Sequence, residues 1–422
     1  MRGMLGFIGK LSFVVFLLVL LFSYAMFQGG FVSWFLFFGF LPIFINHIGL
    51  LFYPIKKWKV TRQLSHHVVR AGDRVAVTLQ IHRKTPYPLY YCICEEIFPD
   101  TLQKAFSHRE KYRYMDQPEK LHVQRRIKKL IFPGFRRHME LPYTIEQVPR
   151  GEHELHAIRV RTGDFFGFIK KEQIFYVKDQ IIAVPDEQPV HLTENINSFE
   201  QGSLSSYARN LKNTNVATGV REYMPGDKFS WIDWKQSAKK NTIITKEFEQ
   251  EKSTDTAIIL NACNHEGINE LAFEAGIELT LSLISTIQRH SSQVSLIAVG
   301  EETAHFPIQN NAVKKERVKQ YLTKVQPEGA RPFSMKLKEE MMKIGSGVNM
   351  ILVTTHVDQT FQETIQQVKQ RSRRVVILFI QASSLISRYE NNIIQQLRYE
   401  GVVVNVLTEK QLMQEMVGVN IS

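Results

Sequence analysis

Hydrophobic positions along this chain fall into three successive patterns. Residues 11–27 (LSFVVFLLVLLFSYAMF) and 31–53 (FVSWFLFFGFLPIFINHIGLLFY) are continuous apolar runs without Asp, Glu, Lys or Arg. A membrane-spanning helix needs about 20 such residues, with a range of about 17–25. Both runs qualify, and Gln28-Gly29-Gly30 between them has room only for a turn. This first pattern predicts a transmembrane helical hairpin over residues 1–57. A cleaved signal peptide competes for residues 1–27, with Ser-Tyr-Ala-Met as the cleavage candidate. The second span follows immediately, which favours the hairpin. Asn46 and His47 lie inside the second run and read as interfacial residues or contacts within the hairpin.

From Lys59 to about Val184 the pattern changes to short β-branched and aromatic stretches. Strands are predicted at 74–82, 89–97, 124–132, 138–146, 151–162 and 170–177. Turn residues punctuate them, as at Ala71-Gly72-Asp73, Phe98-Pro99-Asp100, Pro133-Gly134 and Thr162-Gly163-Asp164. Strands without intervening helices predict an all-β, sandwich-like domain over 58–185. There is no Cys–Trp–Cys core signature of a true immunoglobulin domain. Phe106 to Lys120 is polar and reads as a long hairpin loop.

The third pattern alternates apolar strands with amphipathic helices. Strands are predicted at 256–262, 293–300, 349–356, 374–381 and 401–408. Helices are predicted at 267–290, 311–325, 331–343, 359–370 and 386–400, the first with a stripe through Leu271, Ala275, Leu279, Leu283 and Ile287. Strands apolar on both faces belong in a parallel sheet covered by helices. The expectation for 256–422 is a doubly wound α/β domain, with 186–255 linking it to the β domain. Ligands in such folds bind beyond the carboxyl ends of the strands. The loops after Ala262, Val299 and Thr355 are where a site would lie.

Charge adds an orientation. Arg2 and Lys10 precede the first span, and Lys56, Lys57, Lys59 and Arg62 follow the second, whereas the turn carries none. The positive-inside bias then puts both termini and the soluble domains in the cytoplasm of a two-pass membrane protein. The excess of Lys+Arg 53 over Asp+Glu 41 gives +12, suited to an anionic membrane surface. The basic residues of the β region, Lys104 and Arg109 to Arg137, suit lipid headgroups or an acidic partner, or form a solvated strand face. No aromatic-interleaved motif accompanies them, so nucleic acid is not expected. The three cysteines fit a reducing compartment, and Cys92 and Cys94 share one face of a strand, which suits packing rather than a disulfide.

Gly219 to Glu251 (GVREYMPGDKFSWIDWKQSAKKNTIITKEFEQE) is the densest local signal. Trp231 and Trp234, two of only four tryptophans, flank Asp233. Tyr223 and Phe229 add aromatic area, and Pro225-Gly226-Asp227 fits a tight turn. Asp233 is placed to pair with Arg221, Lys235 or Lys239. Lys246, Glu247, Glu249, Glu251 and Lys252 form an alternating-sign run before the first buried strand. Two readings stand: a structural brace with the tryptophans in a core, or a docking surface for another protein.

Gly219, Arg221, Tyr223, Gly226, Asp227, Ile232, Asp233, Trp234, Lys235, Ser237 and Ala238 follow a spaced pattern, with Glu247, Phe248 and Glu251 after it. Upstream stand Arg150-Gly151 and Gly163-Asp164-Phe165-Phe166-Gly167. This pattern resembles the family called domain of unknown function 58. The resemblance implies a membrane protein whose C-terminal domain is like von Willebrand factor type A. It also implies a MoxR-type AAA+ ATPase as partner. Two positions depart from the family: Ser230 replaces an arginine, and the metal-binding segment is lost. Asn261-Ala262-Cys263-Asn264-His265 stands where Asp-x-Ser-x-Ser would hold Mg²⁺, and Asp358 comes two residues late. No metal or other cofactor is expected, since Cys263 and His265 alone do not make a zinc site.

No nucleophile elbow, Walker sequence or H-E-x-x-H is present. The expectation is a non-enzymatic, membrane-anchored interaction protein serving membrane or envelope complex assembly. Its motif would run through Arg221, Tyr223, Gly226, Asp227, Asp233, Trp234, Lys235, Ser237, Glu247 and Glu251. The alternatives are a membrane-face hydrolase or transferase at the carboxyl edge of the α/β sheet, and a lipid or nucleic-acid binder driven by the basic β domain.

Overall fold

The computed structural model describes residues 2–193, 217–224, 232–240, 242–248, 256–289, 294–308, 312–345 and 347–421. The chain divides into two compact units. One runs to Asp186, and the other holds the chain from Glu187 onward apart from Leu322–Lys324.

The first unit begins with two long helices, α1 (Arg2–Gln28) and α2 (Gly30–Phe52). The apolar windows Gly9–Gln28 and Gly30–Phe52, with mean hydropathy 2.2 and 2.0, are long and apolar enough to cross a membrane. Gly29 at φ 58 and Gly30 at φ 82 make the turn. Both angles lie in the left-handed region that glycine enters without steric cost. Phe22 of α1 meets Trp34 and Phe37 of α2 edge-on, at 6.3 and 5.6 Å between centroids. The last turns of α2 are embedded rather than free, with Leu50, Leu51 and then Tyr53 in the β-domain core.

That core lies between two sheets. β1 (Lys59–Leu64), β3 (Val75–His82) and β6 (His138–Ile145) form one, in the order β1-β3-β6. β2 (Val68–Arg70), β4 (Tyr91–Ile97), β5 (Lys128–Ile131), β7 (Gly151–Gly163) and β8 (Lys170–Val184) form the other, in the order β2-β8-β7-β4-β5. Alternation drives the packing: β6 reads exposed-buried throughout, and Val75, Val77, Leu79 and Ile81 of β3 all point inward. Cys92 and Cys94 are buried free thiols with sulfurs 3.8 Å apart.

β1 escaped the sequence reading because an arginine occupies an inward position. Arg62 is 7% exposed, and its Nη2 donates to Glu96 Oε1 at 2.5 Å. Tyr143 donates to Glu96 Oε2 at 2.5 Å. Burial pushes the Glu96 carboxyl up, against the pull of Arg62 and Tyr143. Arg62 therefore belongs to the core and not to the charges flanking the second helix.

The stretch 106–120 is not an open hairpin loop. It forms two short 3₁₀ turns, Glu110–Tyr114 and Pro118–Leu121, which bury Tyr112 and Met115. Lys111 is buried too, with its ammonium over the rings of Phe106 and Tyr112 at 5.6 and 5.1 Å. Arg125 donates to the carbonyls of Lys104 and Gln147. Part of the basic character of this region is thus spent inside the fold.

His47 and Asp164 form the main polar contact between α2 and the β sheets. His47 Nε2 lies 2.9 Å from Asp164 Oδ2, with 7% and 0% of the side chains exposed. Nδ1 of the ring lies 2.7 Å from the Ile43 carbonyl. Asp164 Oδ1 also accepts from the Ile169 amide at 2.6 Å, closing the turn between β7 and β8. Gly163 just before it has no room for a side chain: a Cβ would sit 2.6 Å from the Ile169 carbonyl oxygen.

The second unit begins with β9 (Val190–Thr193), β10 (Ala217–Glu222), the short helix α3 (Trp234–Lys240) and β11 (Ile244–Phe248). The α/β part follows as β12 (Thr256–Asn261), α4 (Glu270–Ile287), β13 (Val294–Val299), β14 (Thr303–Ile308), α5 (Ala312–Lys324) and α6 (Phe333–Met341). It continues with β15 (Asn349–Thr354), α7 (Gln359–Arg371), β16 (Arg374–Ile380), α8 (Arg388–Tyr399), β17 (Val403–Leu407), α9 (Glu409–Leu412) and β18 (Val417–Asn420). The main sheet has the order β14-β13-β12-β15-β16-β17. It is mixed rather than fully parallel, because β14 runs antiparallel to β13 along one edge. Pro307 within β14 lacks an amide to donate, which an edge strand tolerates. β18 returns to pair in parallel with β9. Every residue of the central β12 is buried, as a strand covered on both faces requires.

Candidate functional site

The central block folds as a small hairpin with a helix in its connection. β10 pairs antiparallel with β11, with Arg221 opposite Thr245 and Glu222 opposite Ile244. Past the strand ends the Tyr223 amide donates to the Ile243 carbonyl at 2.9 Å. The returning chain adds a bridge between Ile232 and Thr245 and a bond from the Asp233 amide to the Ile244 carbonyl at 2.9 Å.

Asp233 is the first residue of the local design. Its Oδ1 accepts from the amides of Lys235 and Gln236 at 3.1 and 3.2 Å, capping α3. Its carboxylate therefore serves backbone amides at the start of the helix rather than the Lys235 ammonium. Ser237 closes the helix against the strand: its hydroxyl donates to the Asp233 carbonyl at 2.8 Å and accepts from the Ile244 amide at 2.9 Å. Asp233 and Ser237, four residues apart, thus fix the helix to the hairpin at both faces.

Ile232, Ile244 and Thr245 are buried at 6%, 3% and 0%. Trp234 is not a core residue. It is 67% exposed, and Met224 and Ile243, on the backbone joined to it, are 63% and 51% exposed. Lys235 is exposed as well, and Tyr223 is half-buried. For Arg221 and Glu247 the structure describes the strand positions. Pro225, Gly226, Asp227, Phe229, Ser230, Trp231, Glu249, Glu251 and Lys252 lie outside the described residues.

A second cluster stands where the sequence placed a possible ligand edge. Asn261, at the end of β12, donates to Thr354 Oγ1 at 3.0 Å and accepts from the Cys263 amide at 3.0 Å. It thereby ties together the carboxyl ends of β12 and β15. Cys263 is 3% exposed, and burial pushes its thiol up. Asp358 is a helix cap, its Oδ1 accepting from the Phe361 amide at 2.6 Å. Beyond these, His265 Nε2 lies 3.2 Å from Thr355 Oγ1. The rings of His265 and His356 stack at 4.9 Å and 30°. His356 Nδ1 lies 3.3 Å from Glu390 Oε1. The Ser387 amide and hydroxyl hold Glu390 Oε2 at 3.0 and 2.9 Å.

The two stacked histidines are driven apart electrostatically. Burial lowers His265, and the charge of His356 lowers it further. The hydrogen bond to Glu390 raises His356 against its own burial. Glu390 is pushed up by burial, but the bonds from His356 and Ser387 outweigh that and hold it low. The two rings are thereby shifted in opposite directions, His265 downward beside the Thr355 hydroxyl and His356 upward beside the Glu390 carboxylate. His356 and Glu390 gave no sequence signal, because their partners lie far along the chain. Among the described residues no three His, Cys, Asp or Glu side chains converge as a metal site.

Two comparisons decide the family. The family model described as protein of unknown function DUF58 matches residues 219–383, beginning at the hairpin and covering β12 to β16. The uncharacterized protein YeaD of Bacillus subtilis (strain 168) is 32% identical over 401 residues, 94% of this chain and 95% of its own. The chain belongs to the DUF58 family. Within the DUF58 match lie both the hairpin and the His265–His356 pair, while Glu390, His47 and Asp164 fall outside it. Among solved structures, the PilB minor pilin from Streptococcus sanguinis overlaps at TM-score 0.29 and 8% identity, over 77% of this chain and 85% of its own. Overlap at that score carries no fold or function to a DUF58 chain.

Proposed function

We propose that this DUF58 protein is a membrane-anchored, non-enzymatic adaptor. Its hairpin would hold it in the cell membrane, with both termini and the soluble units on the cytoplasmic side. Lys56, Lys57 and Lys59 after α2, with Arg2 and Lys10 at α1, support that orientation. Its α/β unit is read as a von Willebrand A-like domain, supported by the parallel strands around β12 and the antiparallel edge β14. The partner proposed from the family resemblance is a MoxR-type AAA+ ATPase, in membrane or envelope complex assembly.

One observation carries the docking reading. Trp234 stands exposed on a hairpin whose backbone is fixed by Asp233 and Ser237, and Met224 and Ile243 of the same hairpin are exposed too. A large indole in solvent on a fixed backbone gains by burial against a partner. Co-purification with the MoxR-type ATPase of the same cell, comparing wild type and Trp234→Ala, tests it. Equal capture by a folded Trp234→Ala variant removes this surface as the dock.

The alternative, a hydrolase or transferase at the carboxyl edge of the sheet, is favoured by the cluster of His265, Thr355, His356 and Glu390. It predicts turnover of simple acyl or phosphate esters that is lost in His356→Asn. No turnover by the wild type leaves the adaptor reading in place.

A further inference from the structure

The end of the β domain beside the helices carries an unusual density of exposed aromatic rings. Phe165, Phe166 and Phe168, in the turn between β7 and β8, are 75%, 54% and 52% exposed. Tyr90 packs on Phe165 at 6.0 Å between centroids, and Phe132 and Phe135 flank Gly134, which exchanges backbone bonds with Leu89. Three neighbouring loops thus present rings to solvent at one end of the domain.

These loops sit alongside the apolar spans, not at their ends. Phe168 packs on Phe13 of α1 at 5.9 Å. Phe166 and Phe168 each lie 6.1 Å from His47 of α2. The Tyr87 hydroxyl donates to the Asn46 carbonyl. Asn46 lies about six residues before Phe52, so the β domain reaches ~9 Å along α2 from its end.

Lengths then decide the depth. The part of α2 before that contact, Gly30 to Ile45, spans only ~24 Å at 1.5 Å per residue. Lipid hydrocarbon is about 30 Å thick. A span held short in this way is accommodated by thinning the bilayer or by sinking its flanking groups into the interface. The flanking groups here are aromatic rings, which favour the headgroup level. Lys170 follows them in the chain, Lys10 donates to the Lys170 carbonyl at 3.4 Å, and Lys171 donates to the Tyr53 carbonyl at 2.7 Å. No acidic side chain is offered by the turn itself, since Asp164 is fully buried.

We propose that this aromatic end, centred on Phe165, Phe166 and Phe168, is seated in the interfacial layer of an anionic bilayer as a third membrane contact beside the hairpin. The proposal rests on reading the hairpin as the anchor. It fixes the β domain against the membrane through the His47–Asp164 pair rather than leaving it on a loose tether.

The test uses the full chain in phosphatidylglycerol-containing vesicles with an environment-sensitive fluorophore on single introduced cysteines. Cys92, Cys94 and Cys263 are buried, so the unsubstituted protein gives the labelling background. Labels go on Phe165→Cys, on Phe38→Cys in the middle of α2, and on Tyr176→Cys, exposed on β8 about 20 Å along the strand from Lys170. The expected result is a blue-shifted Phe165→Cys label, quenched several-fold more than Tyr176→Cys by lipids brominated near the headgroup. Phe38→Cys should be quenched best by deeply brominated lipids. If Phe38→Cys is quenched and Phe165→Cys behaves like Tyr176→Cys, the proposal is overturned while the anchor stands. If Phe38→Cys is not quenched either, the anchor reading falls and takes the proposal with it. A Phe165→Cys label shielded from both bromolipid and aqueous iodide would mean a protein covers this end, which also overturns it.

Discussion

The His47 ring bridges two oxygens, the Asp164 carboxylate at 2.9 Å and the Ile43 carbonyl at 2.7 Å. Asp164 in turn holds the amides of Ile169 and Phe168, so one buried carboxylate joins α2 to the β7–β8 turn. A buried group left without its hydrogen-bond partner costs about 1–3 kcal/mol. His47→Ala and Asp164→Ala should each lower the thermal transition of the detergent-purified protein, Asp164→Ala by the larger step because the Phe168 and Ile169 amides lose their acceptor too. The double variant should cost less than the sum of the two. Additive losses would show that the pair is not coupled.

The Arg62–Glu96–Tyr143 group makes a similar prediction at graded strength. Tyr143→Phe removes one hydrogen bond to Glu96 and should cost about 1–3 kcal/mol, because an acceptor is left buried. Glu96→Ala strands the Arg62 guanidinium and should cost more than that. Denaturant midpoints compared at constant slope check the ranking.

Stability and binding should separate at the central hairpin. Asp233→Ala removes the cap of α3 and should cost about 1 kcal/mol locally. Trp234→Ala touches an exposed ring and should stay within about 0.5 kcal/mol of wild type. If docking runs through this surface, Trp234→Ala loses partner binding at unchanged stability. Hydrogen exchange at Gln236 and Ile244 would report the cap, and co-purification the dock.

The stacked histidines predict opposite pH behaviour. Glu390 raises His356 above the ordinary histidine value of about 6.5, so its stabilisation is full below that value and fades as pH rises through the folded-state value. Burial lowers His265, so its contribution is present above about 6.5 and is lost as pH falls through its depressed folded-state value. NMR titration of the ring protons should find His356 titrating above His265. In Glu390→Gln the His356 midpoint should drop, since burial is then opposed only by the charge of Asp358. A His356 midpoint unmoved by Glu390→Gln would break this account.

Much of the architecture was legible because it is written in short-range pattern. Two apolar runs split by Gly29-Gly30 specify two helices and a turn, whatever else the chain does. The fully buried β12, the stripe of α4 and the alternation of β6 are likewise local, because burial on one or both faces leaves its own period in the sequence. The motif from Gly219 to Ser237 could be named from its residues, but not the assignment of its parts. Asp233 looked like one half of an ion pair and is a helix cap, and of the two readings open for Trp234, core or docking surface, it faces solvent.

What the sequence determined by itself was the succession of apolar helices, β region and alternating α/β region, and the family, since these depend on residue types at local spacing. What only the tertiary structure decided was which polar groups meet. His47 with Asp164, Arg62 with Glu96, and His356 with Glu390 come from segments far apart in the chain. A buried charge carries no local period, and its identity as core or site depends on the partner brought to it. For that reason the inward-facing Arg62 hid a strand, and a histidine inside an apolar helix became the fastening point of the β domain.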